Sequence, residues 1–321
     1  MALVTDPHNV LRQQRRKQKS VMAMTFVLLI VILTGLIGGY LLHGLPAGTG
    51  MQQANSQIDA DMAALASQVT PVEGYSIPAT LGDIGPRLLA SGAIDLGKFV
   101  DVYEQSGKPL TREQQAMLKK GGNGLIVIDG QNAYFLLNFF WALGLANTNP
   151  VLTAGEMMSK GRDQVGNFAS TGGWTLGAKP ATDLYAGNMI LPLSEQQQLL
   201  LDRVASAVYR PCCDNSTHFP DCNHGMAMLG LLELMASQDA SEEDMFNAAK
   251  YINAYWYPQQ MLEIAAYFKA NQNVDFSKAG ARQLVSSQYS SLSGFQGLHL
   301  WLANNSLLPE APNTSGSCSV Q

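Results

Sequence analysis

From Tyr75 onward, the order of apolar and polar residues reads as a succession of helices joined by loops. Sustained alternation of apolar and polar positions, which marks half-buried strands, does not occur in this region. The one strand candidate is LIVIDG at 125–130, and it stands too isolated to found a sheet. The pattern therefore predicts a mostly α fold with long loops, ending near residue 308.

Three of the predicted helices begin with the sequence of a capping box. In this arrangement, a Ser or Thr hydroxyl and a side chain three residues later satisfy free backbone N–H groups. The three pairs are Thr111 with Gln114, Ser194 with Gln197, and Ser241 with Asp244. The glycines at 121–122 end the first of these helices and Pro211 ends the second. These starts are the best-defined boundaries in the sequence.

Two segments are apolar almost all round and are predicted to lie in the core. Residues 131–147 are short for a membrane span and contain asparagines, so a buried helix is favoured over a second crossing. Residues 226–237 are predicted to form a central helix. The segment 150–190 is rich in Gly, Ser and Thr and predicts a long loop, and a last helix is expected at 278–289.

The N-terminal part of the chain has the pattern of a membrane anchor. Residues 21–42 contain no charged side chain, and about twenty apolar residues in a helix cross a bilayer. Basic residues cluster before this segment and are almost missing just after it, which predicts that residues 1–20 are cytoplasmic. A cleaved signal peptide is the alternative, but its apolar core is usually shorter.

This topology predicts a single-pass membrane protein whose main domain lies outside, in the periplasm or the extracellular space. A stalk at 43–74 leads to a helical extracytoplasmic domain at 75–308, and a disordered tail at 309–321 follows. Membrane lipid is therefore an expected partner, through the anchor. Glycines within the anchor favour close helix approach, and hence a homo-oligomer or a protein partner in the membrane.

Charge and motifs narrow the classes of function. The formal net charge is −5, and the basic tract lies before the anchor. The outer region has no basic patch with interleaved aromatic residues, so no nucleic-acid partner is expected. The G-x-S-x-G, H-E-x-x-H and phosphate-loop motifs do not occur. The sequence therefore favours a binding protein over an enzyme.

The densest chemistry lies in the segment RPCCDNSTHFPDCNHGMAM, residues 210–228. It holds three of the four cysteines and two of the five histidines of the chain. Thiolate, thioether and imidazole groups together favour copper or zinc over calcium or magnesium. The predicted metal ligands are the thiolates of Cys212, Cys213 and Cys222 and the imidazole of His224, with His218 and Met226 as additional candidates.

The start of the next helix sharpens the assignment for Cys222. Pro220 and Asp221 before an apolar run predict a helix entry, with Asp221 as N-cap and Cys222 as the first helical residue. A helix N-terminus favours negative charge and makes such a thiol more thiolate-like, although the charge of Asp221 opposes this effect.

Two other interpretations of the cluster stay open. All four cysteines lie on the outer side of the predicted anchor, where disulfides form. A bond from Cys222 to Cys212 or Cys213, with Cys318 pinning the tail, would make the domain a stapled scaffold or partner-binding module. A thiol–disulfide oxidoreductase is the third interpretation, although the C-x-x-C motif of such enzymes does not occur.

Overall fold

The computed structural model describes residues 60–308, of which 62% are helical. The prediction of a mostly α fold is confirmed. The longer helices are α1 (60–69), α2 (Ile84–Ser91), α3 (Leu96–Gln105), α4 (Arg112–Lys120), α5 (Ala133–Ala146), α6 (Glu195–Ala207), α7 (Asn223–Ser237), α8 (Glu242–Trp256), α9 (Pro258–Gln272) and α10 (Leu292–Asn304). Two strands accompany them, β1 (Tyr75–Gly82) and β2 (Gly122–Ile128).

Short helical turns fill the segments between the longer helices. The α-helical turns are Pro150–Thr153, Ala169–Gly172, Ala181–Leu184, Ala281–Leu284 and Ser287–Ser290, and the 3-10 turns are Glu156–Met158, Arg162–Asn167 and Phe276–Lys278. The predicted long loop at 150–190 is therefore a series of single turns. The prediction of one helix at 278–289 is wrong. The backbone is extended at Ala279, and the buried Lys250 ammonium donates to the carbonyl oxygens of Phe276 and Ala279.

The predicted membrane anchor at 21–42 and the predicted tail at 309–321 lie outside the described residues. Within residues 60–308, no helix combines the length and the hydropathy that a membrane crossing needs.

The predicted helix starts agree well with the structure. Thr111 and Ser194 each form the complete capping box, as the residue just before the first residue of α4 and of α6. Ser241 accepts a hydrogen bond from the backbone N–H of Asp244 at the start of α8. Local side-chain chemistry therefore sets where these helices begin.

The two strands form an antiparallel sheet, so the prediction that 125–130 stays unpaired is wrong. Strand β1 pairs with β2 from Tyr75 opposite Ile128 to Gly82 opposite Gly122. Its side chains do alternate, since Ile77, Ala79 and Leu81 are buried. Pro78 interrupts this pattern in the sequence, and the register shifts between Ile77 and Thr80 because proline cannot donate to the ladder.

The side chain of Gln238, just after α7, binds the backbone of β1. Its amide nitrogen donates to the carbonyl oxygen of Thr80 at 2.7 Å, and its amide oxygen accepts from the Thr80 N–H at 2.9 Å. The C-terminal end of α7 is thereby tied to the sheet.

Helices α5 and α7 form the centre of the main core. Both are buried almost all round, as their apolar sequences predict. They approach so closely at Gly144 and Gly230 that a Cβ on either glycine would overlap a backbone oxygen of the other helix, that of Met226 or Phe140. This contact fixes α7, the helix that follows the cysteine-rich loop.

Candidate metal site

One buried arginine organises the loop between α6 and α7. The side chain of Arg210 is 1% exposed, and each of its nitrogens donates a hydrogen bond. Nη1 donates to the carbonyl oxygen of Asn215 at 3.0 Å, and Nη2 donates to Oδ1 of Asp221 at 3.2 Å. Nε lies 3.2 Å from Sγ of Cys222, and Asp221 also accepts from Nδ2 of Asn215 at 2.8 Å. The guanidinium therefore joins the two ends of the loop.

A glycine leaves space for the Arg210 side chain, and other residues of the loop are hydrogen-bonded to the start of α10. A Cβ at Gly225, in the first turn of α7, would overlap the Arg210 guanidinium. The carbonyl oxygen of Cys213 accepts from the N–H of Leu292, and Oδ1 of Asp214 accepts from the N–H of Ser293 at 2.8 Å. The loop is thus fixed to the start of α10 as well as to α7.

The start of α7 lies one residue later than predicted. Cys222 is the N-cap, Asn223 is the first helical residue, and Sγ of Cys222 accepts from the N–H of Gly225 at 3.4 Å. The prediction of Asp221 as N-cap is wrong because its carboxylate is already bound by Arg210 and Asn215. A cysteine sulfur therefore occupies the position where backbone N–H groups and the helix dipole favour negative charge.

The three cysteine sulfurs of the loop lie together. Sγ of Cys212 is 3.6 Å from that of Cys222 and 3.9 Å from that of Cys213, and all three lie within 4.8 Å of one another. A disulfide needs about 2.05 Å, so the described cysteines are free thiols. Ligands at a Zn–S distance of about 2.3 Å stand about 3.8 Å apart in a tetrahedron. The separations of Cys212 from Cys222 and from Cys213 therefore match the spacing of ligands around a shared ion.

The cluster favours one thiolate, at Cys222. Hydrogen bonds from Cys212 and Cys213 lower the pKa of Cys222 below its ordinary value, and the charge of Arg210 lowers it further. The pKa of Cys212 is raised, because its proton is shared with Cys213 and Cys222. At Cys213, the hydrogen bond with Cys212 lowers the pKa, but the one with Cys222 and burial outweigh it, and the pKa is raised. A bound cation would take the place of these shared protons.

The two predicted histidine ligands lie apart from the sulfurs. Among the described residues, the cysteines form a group of possible ligands within 4.8 Å that includes neither histidine. The His224 ring packs on Tyr257 at 4.6 Å between ring centres, and burial lowers its pKa to about 4. Nε2 of His218 lies 3.8 Å from Oδ1 of Asp202, and Met226 is buried.

Two residues of the site, Arg210 and Tyr257, were not predicted from the sequence. Arg210 lies two residues before Cys212, and this proximity was the only signal for it. Tyr257 closes the aromatic run at 255–257, and its buried hydroxyl lies near Cys212. Burial raises the pKa of Tyr257, and the neighbouring Cys212 raises it further, so its hydroxyl stays protonated.

No family model, curated protein or solved structure matches this chain. The function must therefore be inferred from the cysteine cluster itself.

Proposed function

We propose that the protein binds a thiophilic metal ion, copper or zinc, through Cys212, Cys213 and Cys222. The observation that carries this proposal is the convergence of three free sulfurs to within 4.8 Å of one another. Unbonded thiols in a folded loop have no need of such convergence, whereas a soft cation requires it.

The surroundings of the sulfurs support cation binding. Three thiolates around one ion leave excess negative charge, and the Arg210 guanidinium next to Cys222 offsets part of it. Because Arg210 is fully engaged by protein groups, it holds Cys222 in place before any ion arrives. Such outer contacts orient metal ligands and raise affinity.

The number of ligands bears on which metal is bound. Three thiolates suffice for copper(I), whereas zinc takes a fourth ligand. His224 would have to leave its packing on Tyr257 to supply that ligand. Cys212 is exposed, so we assign the fourth position of a zinc complex to water or to a partner's side chain. His218 and Met226 stay predictions as ligands.

The setting of the site is also part of the proposal. The uncharged segment 21–42 and the basic residues before it support a membrane anchor with the metal-binding domain on the outer side. In that position the protein would store, deliver or sense metal at the cell surface.

Metal analysis of full-length protein purified without chelators tests the proposal. We expect about one copper or zinc ion per chain, in agreement with a single three-sulfur centre. Cys222→Ser should lose the ion, because it removes the sulfur that contacts both Arg210 and Cys212. Cys318→Ser, in the predicted tail, is the matched control and should keep it. Equal metal content in the wild-type protein and in Cys222→Ser would refute the site.

His224→Ala distinguishes a site made of the three sulfurs alone from a site that also includes the His224 imidazole. If the three sulfurs hold the ion, this variant keeps its metal. Loss of the ion in folded His224→Ala protein would show that the His224 imidazole is a metal ligand.

A further inference from the structure

We propose that the cluster also undergoes thiol–disulfide exchange with a low-molecular-weight disulfide. Exchange would form a bond between Cys212 and Cys222, and this bond would expel the metal ion. The expulsion rests on the proposed metal binding, whereas bond formation does not.

The geometry favours this pair over the adjacent cysteines. Cys212 and Cys222 are 3.6 Å apart, closer than the 3.9 Å that separates Cys212 from Cys213. Cys212 and Cys213 are also adjacent in the chain, where disulfide geometry is strained. Bonding Cys212 to Cys222 requires the sulfurs to approach by only about 1.5 Å.

The two sulfurs differ in ways that set the order of events. Cys212 is exposed, so a small disulfide reaches it from solvent. Cys222 is half-buried and held from two sides by Arg210 and the N–H of Gly225. Cys212 therefore reacts first, and Cys222 lies in position to resolve the intermediate.

The reaction proceeds in two balanced exchanges. Cys212 passes the proton that it shares with Cys222 to that sulfur, 3.6 Å away, and then attacks one sulfur of the small disulfide R–S–S–R, which forms Cys212–S–S–R and releases one R–S⁻. The released R–S⁻ takes the proton from Cys222, whose thiolate attacks the Cys212 sulfur and releases the second R–S⁻. The two cysteines are oxidised by two electrons and the small disulfide is reduced to two thiols. These thiols take up the one proton of the cysteine pair and one from water or, in the metal-loaded protein, both protons from water.

The bond has a direct consequence for the metal ion. It consumes two of the three sulfur ligands and leaves Cys213 alone, and one thiolate does not hold copper or zinc at a protein site. The ion therefore leaves to solvent when the bond forms.

The test uses full-length Cys318→Ser protein, in which the three loop cysteines remain. Metal-free and metal-loaded samples are treated with oxidised glutathione, and the remaining thiols are alkylated. Cleavage before Asp214 and before Asp221 separates Cys222 from the other two cysteines, so mass spectrometry identifies the bonded pair. We expect the free thiols to fall from three to one, with Cys213 alkylated, and the loaded sample to lose its ion in parallel.

Two variants sharpen the assignment. Cys213→Ser should still form the bond, and Cys212→Ser should not. A Cys213–Cys222 bond, a bond between the adjacent cysteines, a stable glutathione adduct or unreacted thiols would each overturn the exchange. Bond formation in protein that never binds metal would refute the proposed function and the expulsion step, and would leave the exchange standing. Metal binding without the bond would refute the exchange alone.

Discussion

The loop from Arg210 to Cys222 leads directly into α7 of the α5–α7 helix pair, yet different interactions stabilise the loop and the helix pair. The helix pair is apolar and packs over its whole length, with the backbones in contact at Gly144 and Gly230. The loop is polar and is held by hydrogen bonds, three of which come from one guanidinium. Stability is therefore spread over many groups in the first region and depends more on a single side chain in the second.

The largest expected effect comes from removing that side chain. Arg210→Met leaves Asp221 and Cys222 without their cation, and we expect the free energy of unfolding to fall by about 3 kcal/mol. This value is at the low end for a buried pair because Asp221 keeps a quarter of its exposure. Chemical denaturation measures the loss, and metal titration should show about tenfold weaker binding.

Arg203→Met is the matched control for this prediction. Arg203 also pairs with a carboxylate, that of Glu242, but its side chain is 58% exposed. Its removal should cost less than about 0.5 kcal/mol. Equal losses in the two variants would contradict the assignment of the loop's stability to Arg210.

The next effect breaks the helix pair at its closest point. Gly144→Ala places a Cβ against the backbone of α7, and we expect a loss of about 2 kcal/mol, since overpacking outweighs the better helix propensity of alanine. Thermal and denaturant unfolding measure it. Gly297→Ala in α10 is the control. A Cβ there meets no atom within 4 Å, so a gain of about 0.5–1 kcal/mol is expected. A neutral Gly144→Ala would show that the helices can move apart at no cost.

A pH-dependent effect comes last and concerns Glu233, an acid buried in the core of the helix pair. Burial raises the pKa of Glu233 on α7 above its ordinary value of 4.5, and the nearby Asn147 side chain offsets only part of this. The folded protein thus keeps a proton that the unfolded chain releases. The contribution of this carboxyl to stability is complete below about pH 4.5 and is lost as the pH rises through the raised pKa.

Glu233→Gln removes this titration and keeps the shape of the side chain. The variant's stability relative to wild type should therefore grow between about pH 4.5 and pH 8. Denaturation of both proteins across this range measures the difference. A difference that does not change with pH would mean that Glu233 is ionised in the folded protein.

What the sequence predicts well is local. The capping boxes at Thr111 and Ser194 depend on side chains three residues apart, and both occur where they were expected. The buried helix at 131–147 follows from its lack of a polar face. The sheet was missed because its pairing joins residues about fifty positions apart and because Pro78 masks the alternation in β1.

The site shows the same limit on prediction. The three cysteines are close in sequence, and their convergence was predicted. The position of His224 was not predicted. Its ring packs on Tyr257, which lies more than thirty residues later and meets α7 only in the folded protein. The role of Arg210 depends on partners at 215, 221 and 222 that only the folded loop brings to one point. Asp221 lost its predicted capping role to this same arginine.

The double hydrogen bond between Gln238 and Thr80 has a consequence for the protein's solubility. Strands at the edge of a sheet expose free N–H and C=O groups, which recruit strands from other molecules. The amide of Gln238 satisfies both groups of Thr80, and so it acts as a one-residue substitute for a third strand. Growth of this small sheet into an intermolecular stack is blocked at that point by a single side chain.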